Sequence, residues 1–124
     1  QESWLRARHV FGENQRVLTA IEKLQKNSIP EFGALLYESH DSLKNDYATS
    51  CAELDCIVDA AKSGDALGAR ITGAGFGGCA VVLAETTNVA TLRSIIHKTY
   101  LHNFHIEPVI MPLTNNLEAM VLKL

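Results

Sequence analysis

The sequence lacks a surplus of basic residues. Its 124 residues carry 11 lysines and arginines against 14 aspartates and glutamates, a formal net charge of -3. Proteins that bind nucleic acid neutralise phosphates with clustered basic side chains, so this balance disfavours nucleic acid as a partner. The sequence also lacks any apolar run near the roughly 20 residues that a membrane-spanning helix needs, and we expect no membrane partner.

Cysteine is scarce, with three residues at Cys51, Cys56 and Cys79. An odd and sparse set does not suit a disulfide framework, and it favours a reducing, cytoplasmic location. Residues 1–8 contain no apolar stretch of the kind that marks a secretory signal peptide. Because the chain starts with Gln and its first residues already have a helical pattern, we expect it to be part of a longer protein.

The overall composition is that of a globular protein, with 47% hydrophobic and 20% charged residues. This length suits one domain, which buries a core without disulfides or metals. No internal repeat, low-complexity tract or linker divides the sequence. We therefore expect a single domain over residues 1–124.

Apolar residues at spacings of three, four and seven predict helices over residues 4–24, 28–43, 50–64 and 89–104. Two of these helices begin with the form of a capping box, in which a serine oxygen accepts the backbone N–H three residues on. The two predicted pairs are Ser28 with Glu31 and Ser50 with Glu53. The stripes predicted to face inward are Phe32, Leu35, Leu36, Ser39 and Leu43 on the second helix, Leu54, Ile57, Val58 and Ala61 on the third, and Leu92, Ile95, Ile96 and Tyr100 on the fourth.

The pattern changes after Asp65 to that of short strands. Residues 69–71 and 79–84 predict two strands joined by a glycine run. Residues 107–113 and 118–124 predict two more, with a turn at residues 114–116. The order ααα-ββ-α-ββ favours an α+β fold, with an antiparallel four-stranded sheet and helices packed on one face.

The glycine run is the strongest candidate for a functional site, since it holds four of the chain's eight glycines. The candidate site residues are Thr72, Gly73, Ala74, Gly75, Phe76, Gly77 and Gly78. Glycine tolerates positive φ and lets backbone N–H groups approach an anion closely. A bulged hairpin turn is the alternative, although it needs fewer glycines, and local sequence leaves both interpretations open.

Known glycine motifs fit the run poorly. Gly73, Gly75 and Gly78 match G-x-G-x-x-G, but the dinucleotide-binding motif requires a helix directly after the loop, and here a strand is predicted. No lysine follows the glycines as in a Walker loop. A protein-kinase glycine loop is excluded, because the chain has no V-A-I-K, H-R-D or D-F-G.

Three stretches resemble the galactokinase family, within the superfamily of galactokinase, homoserine kinase, mevalonate kinase and phosphomevalonate kinase. Residues 68–79, G-A-R-I-T-G-A-G-F-G-G-C, resemble its third conserved motif. Residues 8–14 resemble R-H-V-x-x-E-N, and residues 38–55 resemble E-S-H-x-S-L-x-x-D-Y-x-x-S-C-x-E-L-D. Ala74 stands where many relatives have glycine and Ala52 where proline is usual, and neither departure removes a reactive group.

The resemblance implies the ferredoxin-like-related C-terminal domain of a longer kinase. Such kinases transfer the γ-phosphoryl group of MgATP to the C1 hydroxyl of galactose, and residues 72–78 would face the ATP phosphates. The family's sugar-binding motif, its Gly-Ser-rich phosphate loop and its catalytic aspartate have no counterpart in this sequence. The resemblance therefore assigns no catalytic residue here. We expect the chain to need the missing N-terminal domain as its partner and to be inactive alone.

Several other residues are candidates for a functional site. Arg70 is the basic residue beside the glycines, and a phosphate contact and an outward-facing strand position are equal alternatives. His102 and His105 have the spacing of a metal pair, but no cysteine or carboxylate completes a ligand set, so no metal site is expected. Asp46 is predicted to hydrogen-bond backbone between two helices.

Two other functions stay open from the sequence. Helices packed on an antiparallel sheet also form small regulatory or binding modules, and fold alone does not decide between these and a kinase domain. Another sugar kinase of the same superfamily, such as one acting on N-acetylgalactosamine, is equally compatible because the sugar-reading residues are absent.

Overall fold

The structure is a computed structural model that describes residues 2–113. Within them the elements are α1 (Glu2–Gln25), α2 (Ile29–Ser42), a π-helical turn (Leu43–Tyr47), α3 (Ala52–Ser63), β1 (Gly68–Thr72), β2 (Cys79–Leu83), a 3-10 turn (Thr86–Asn88) and α4 (Val89–Phe104). The predicted α+β class, the helices and the first two strands are confirmed.

The two strands form an antiparallel hairpin. Gly68 pairs with Leu83 at one end, and Thr72 pairs with Cys79 at the other, where the glycine run connects the strands. For the part of the chain that the structure describes, this hairpin is the entire sheet.

The predicted four-stranded sheet is not seen. Residues 107–113, predicted as a strand, have no regular secondary structure. A strand is held by hydrogen bonds to a neighbouring strand, and neither β1 nor β2 pairs with these residues. Ile110 packs against the core instead. The predicted strand at residues 118–124 and the turn at 114–116 lie outside the described residues.

The hydrophobic core lies between α3, α4 and β1. Its buried side chains are Leu54, Val58, Ala60, Ala61, Ala66, Ala69, Ile71, Leu92 and Ile96. The apolar spacings on α3 and α4 predicted the inward faces of those helices correctly. Ala60 and Ala61 of α3 and Ala69 of β1 belong to one buried cluster, so α3 packs on the hairpin that carries the glycine run at its tip.

Helix α2 crosses β1 at two glycines. A Cβ on Gly33 would lie 2.1 Å from the carbonyl oxygen of Leu67, and a Cβ on Gly68 would lie 2.3 Å from the carbonyl oxygen of Gly33. Gly33, Ser39 and His40 are therefore the buried residues of α2. The apolar members of the predicted stripe are only half-buried. The reason is the backbone contact with β1, which turns the Gly33 side of the helix inward instead.

Helices contact both faces of β1. Gly68 meets α2, whereas the next residue, Ala69, packs in the core cluster with residues of α3 and α4. Successive residues of a strand point to opposite faces, so α2 lies on one face and α3 with α4 on the other. The expectation of helices on a single face is therefore not met.

Neither predicted capping box forms. Ser28 makes no side-chain cap, and Glu31 pairs with Lys23 of α1. Cys51 is the N-cap residue of α3, while the Ser50 hydroxyl donates to the carboxylate of Asp55 at 2.5 Å. In both places a charged partner is in reach, and a charge-assisted hydrogen bond is stronger than a bond between neutral groups.

Helix α1 turns its apolar side outward. Seven side chains, each 48% to 69% exposed, form what we call the α1 apolar face: Trp4, Val10, Phe11, Val17, Leu18, Ile21 and Leu24. The one buried residue of this helix is polar, His9, and Glu13 and Arg16 on the same side are half-buried. An amphipathic helix ordinarily packs its apolar stripe on the core, so this orientation is inverted. Across residues 2–113, no helix combines the length and apolarity that crossing a membrane requires.

Candidate functional site

The loop at residues 73–78 turns sharply because its backbone occupies the left-handed region repeatedly. The φ angles are +76° at Gly73, +79° at Gly75, +120° at Gly77 and +97° at Gly78. Glycine adopts such angles without Cβ strain, which explains the density of glycines here. Phe76 has φ of +56° with a side chain present, so the turn is held in place by contacts.

Those contacts are made by Thr49, a buried residue between the π-helical turn and α3. The Phe76 amide donates to the Thr49 carbonyl oxygen at 2.7 Å. A Cβ on Gly75 would lie 2.4 Å from the same oxygen, so only glycine fits. By contrast, apart from the adjacent residues of the chain, no atom of residues 2–113 lies within 4 Å of a Cβ on Gly73 or Gly77. The loop is fixed at its middle and open on both sides.

The remaining loop amides are available as donors. Apart from the Phe76 bond, no amide of residues 73–78 donates a backbone hydrogen bond outside the strands to any described residue. Successive N–H groups turned by positive φ form concavities that bind anions. This supports the anion-site interpretation of the glycine run over a simple turn.

A groove of about 800 Å³ lies beside the loop. Its lining residues are Arg6, Leu43, Tyr47, Ala48, Thr49, Gly73, Ala74 and Phe76. One wall is therefore the glycine loop, and the other is made by the start of α1 and the π-helical turn. No carboxylate is among these lining residues.

Arg6 and Asp46 tie α1 to the π-helical turn at the groove. Arg6 Nη1 donates to the Asp46 carbonyl oxygen at 2.7 Å, and its guanidinium lies 5.6 Å from the ring centre of Tyr47. The Asp46 carboxylate accepts hydrogen bonds from Arg8 and Ser42, which hold the pKa of this carboxyl below its ordinary value. The prediction that the Asp46 side chain bonds backbone was wrong, because Arg8 offers a charged partner.

His9 packs beneath the same wall. Its Nδ1 lies 2.9 Å from the Ser42 hydroxyl oxygen, and its ring stacks on Tyr47 with centroids 4.6 Å apart. Burial lowers the pKa of His9, which favours the neutral ring. His9 therefore supports Tyr47 by packing.

Arg70 points towards α1. Its Nη1 lies 3.3 Å from Glu13 Oε2, and its Nε donates to the Ile71 carbonyl oxygen at 3.0 Å. Glu13 also accepts hydrogen bonds from Arg16 at 2.5 Å and from Ser39 at 2.7 Å. The charge of Arg70 is thus already paired with a carboxylate, and its contact with phosphate stays a prediction.

A second polar cluster joins α2 to α3. Buried His40 places Nε2 3.2 Å from Asp55 Oδ1, and Asp55 also accepts from Ser50 at 2.5 Å and Lys44 at 2.9 Å. Burial lowers the pKa of His40. Burial alone would raise the pKa of Asp55, but its hydrogen bonds bring it below the ordinary value. This cluster fixes the chain on either side of Thr49.

The other candidates lie away from the groove. His97 Nε2 is 3.2 Å from Glu107 Oε1, and the Cys56 sulfur accepts from Asn103 Nδ2 at 3.3 Å. Among the described residues, no three histidine, cysteine or acidic side chains are grouped as a metal site would require. All three cysteines are free thiols.

Sequence reasoning missed Arg6, Tyr47 and Thr49 as site residues. Each lies far from the glycines along the chain, and residue spacing carries no information about a contact made by folding. The one local signal was the number of glycines itself, which exceeded what a hairpin turn needs and pointed to a close approach by another segment.

Comparison with known proteins places this site in a family. The family described as "GHMP kinases C terminal" matches residues 20–102. A galactokinase from Levilactobacillus brevis is 49% identical over 96 residues, which cover 77% of this chain and 25% of that protein. A Bos taurus galactokinase is 45% identical over 100 residues, covering 80% and 26%.

Solved structures show the same likeness. Lactococcus lactis galactokinase complexed with galactose superposes with a TM-score of 0.82 at 39% identity, covering 86% of this chain and 28% of that one. Mevalonate kinase of L. major, in complex with R-mevalonate, gives a TM-score of 0.65 at 33% identity, covering 78% and 28%. The chain spans about a quarter of the length of the curated relatives it matches. The chain therefore belongs to the GHMP kinase family and corresponds to its C-terminal region.

Proposed function

We propose that this chain is the C-terminal part of a galactokinase, an ATP-dependent enzyme that phosphorylates galactose at its C1 hydroxyl. The likeness to the galactose-bound Lactococcus lactis enzyme, at 39% identity over 86% of the chain, carries this proposal. The proposed substrates are MgATP and galactose, and the proposed location is the cytoplasm. The three free thiols are consistent with a reducing compartment.

The chain's proposed contribution is electrostatic. In phosphoryl transfer, negative charge spreads over the phosphoryl oxygens, and fixed donors stabilise that charge without reorganising. The open amides of the loop at residues 73–78 are donors of this kind, and the anchor at Thr49 holds them in place. They would face the ATP phosphates, with Mg²⁺ supplying further charge neutralisation when MgATP is bound.

The chain is proposed to be inactive alone. General-base catalysis requires a proton acceptor within hydrogen-bond reach of the attacking hydroxyl. Among the described residues, the groove beside the glycine loop is lined by Arg6, Tyr47 and Thr49 as polar residues and by no carboxylate. The acceptor and the sugar-binding groups would belong to the N-terminal part of the whole enzyme.

A chimera tests the proposal. The matching region of the Lactococcus lactis galactokinase is replaced by this chain, and formation of galactose 1-phosphate from MgATP is measured beside the isolated chain. We expect the chimera to be active and the isolated chain to be at blank level. Mevalonate and N-acetylgalactosamine serve as alternative acceptors.

Two results would count against the proposal. A chimera that is folded and binds galactose, but transfers no phosphate, would remove the assignment as a galactokinase part. Galactose 1-phosphate formed by the isolated chain would instead contradict the proposed inactivity. A Gly75→Val chimera is the matched control, because the added side chain collides with Thr49 and displaces the loop.

A further inference from the structure

We infer that Arg6 is a phosphate-contacting residue, which holds a phosphate group in the groove against the amides of the glycine loop. The identity of the ligand as a nucleoside triphosphate rests on the proposed function. The site itself rests on the arrangement of Arg6, its neighbours and the groove, and it can be tested without any kinase activity.

Three arginines near the groove already have an anionic partner, and Arg6 has none in the described part of the chain. Arg8 pairs with Asp46, Arg16 with Glu13, and Arg70 with Glu13. Arg6 makes no ion pair with any carboxylate among residues 2–113; its contacts there are a carbonyl oxygen and an aromatic ring. Arg6 is thus the arginine of this region that keeps an uncompensated positive charge.

The guanidinium of Arg6 is held in place at the groove. One nitrogen, Nη1, is bonded to the Asp46 carbonyl at 2.7 Å, and the group lies over the Tyr47 ring. A guanidinium carries five N–H donors in a planar fork, so donors remain on Nε and Nη2 after this bond. That fork matches the oxygens of a phosphate group, and the bond to Asp46 together with the nearby tyrosine ring holds it at the groove.

The guanidinium of Arg6 also lies beside the glycine loop. Arg6 lines the same groove as Gly73 and Ala74, whose amides donate no backbone hydrogen bond outside the strands to any of residues 2–113. The neighbouring negative charge, on Asp46, is paired with the positive charge of Arg8 and also accepts a hydrogen bond from Ser42, so it does not repel an incoming anion strongly. A phosphate in the groove would meet amide donors from one wall and a guanidinium from the other.

Phosphate could come from the triphosphate of the nucleotide or from the phosphorylated sugar, and two probes separate these sources. Inorganic tripolyphosphate and galactose 1-phosphate are titrated into the full 124-residue chain at low ionic strength. Binding is followed by NMR shifts of the Gly73 and Gly77 amides. We expect saturable shifts, and the probe that binds more tightly identifies the source.

The variants test the role of Arg6. Arg6→Gln keeps side-chain length and is expected to weaken anion binding by about tenfold, the loss of one charged hydrogen-bonding group. Arg6→Lys keeps the charge but loses the fork, and should fall between wild type and Arg6→Gln. Arg93→Gln, on the exposed side of α4, is the matched control and should bind like wild type. Thermal unfolding checks that each variant is folded.

Unchanged binding in a folded Arg6→Gln variant would overturn the inference. So would an absence of saturable shifts with both probes in the isolated chain and in the galactokinase chimera. Anion binding that depends on Arg6 in a chimera without galactose phosphorylation would leave this inference standing and remove the proposed function, so the two failures are distinguishable.

Discussion

Two glycines of the loop have almost the same backbone angle but different surroundings. Gly73 has φ of +76° and open space around it, whereas Gly75 has φ of +79° and lies against Thr49. A substitution by alanine at either position imposes the same left-handed strain. Only at Gly75 does the alanine also collide with Thr49. Comparing the two variants therefore separates the cost of the backbone angle from the cost of the collision.

We therefore predict unequal losses of stability for the two alanine variants. Gly73→Ala should lower the free energy of unfolding by about 1 kcal/mol, the cost of a left-handed alanine. Gly75→Ala should lower it by a further 1–3 kcal/mol or so, because the new Cβ would lie near 2.4 Å from the Thr49 oxygen. Urea denaturation measures both. Equal losses would mean that Thr49 does not hold the loop.

Buried histidines predict a dependence of stability on pH. Burial lowers the pKa of both His9 and His40 in the folded chain, so the unfolded chain binds more protons as the pH falls. The stability that the two neutral histidines contribute is fully present above the unfolded histidine pKa, near 6.5. This contribution is lost as the pH falls from there through the lower pKa of the folded chain. Each histidine contributes a slope of at most about 1.4 kcal/mol per pH unit.

The variant His40→Gln should make this slope shallower. Urea denaturation at a series of pH values between neutral and mildly acidic measures it. His102→Gln is the matched control, since His102 is exposed on α4 and should leave the slope unchanged. A slope that is the same in wild type and His40→Gln would contradict the assignment to His40.

Between elements, the contact of α2 with β1 brings two backbones directly together. It depends on hydrogen atoms in place of Cβ at Gly33 and Gly68. Backbone-to-backbone contact cannot relax by a rotamer change, because the colliding atoms belong to the main chain of both elements. A methyl group at either position must separate the helix from the strand.

Gly33→Ala is accordingly predicted to destabilise the fold by about 3 kcal/mol or more, in spite of the higher helix propensity of alanine. Gly12→Ala in α1 is the control. Its Cβ would meet only the flexible end of Arg16 at 3.1 Å, so this change should be neutral or stabilise by up to about 1 kcal/mol. The difference between the two changes in the free energy of unfolding, measured by urea denaturation, tests the contact. A mild effect of Gly33→Ala would show that α2 can shift freely.

The helices show which features the sequence pattern could predict and which it could not. Periodicity predicted α3 and α4 with their inward residues, such as Val58 and Leu92, because those faces are apolar and pack on the core. It did not predict that Gly33 would be the buried centre of α2, because the reason is a contact with Gly68 from a distant strand. The capping boxes failed likewise, since Lys23 and Asp55 provided charged partners from outside the local pattern.

At the scale of the whole molecule, the α1 apolar face is the largest departure from an ordinary globular surface. Periodicity correctly predicted α1 as a helix but gave no information about which side faces inward. The inward side is fixed by polar contacts of His9 and Glu13 with α2 and its continuation, which leave the apolar side free. Large exposed apolar patches on soluble proteins usually mark interfaces.

We predict that the isolated chain self-associates through this face. Sedimentation velocity should give a mass above the 13.6 kDa of one chain, and Leu18→Glu in the middle of the face should restore the monomer. Val109→Glu, at an exposed apolar residue outside α1, is the matched control and should leave association unchanged. A wild-type chain that stays monomeric at all concentrations would contradict the prediction.

The bond from the Phe76 amide to Thr49 has a consequence for ligand binding. It divides the glycine run into two short arms, Gly73–Gly75 and Gly77–Gly78, which cannot move as one free segment. Ordering one residue of a flexible chain costs about 1–2 kcal/mol of conformational entropy. At the centre of the run, this entropy is already lost when the chain folds. An anion that binds this loop would therefore need to order only the arms, so binding would cost less conformational entropy than binding to a free run of glycines.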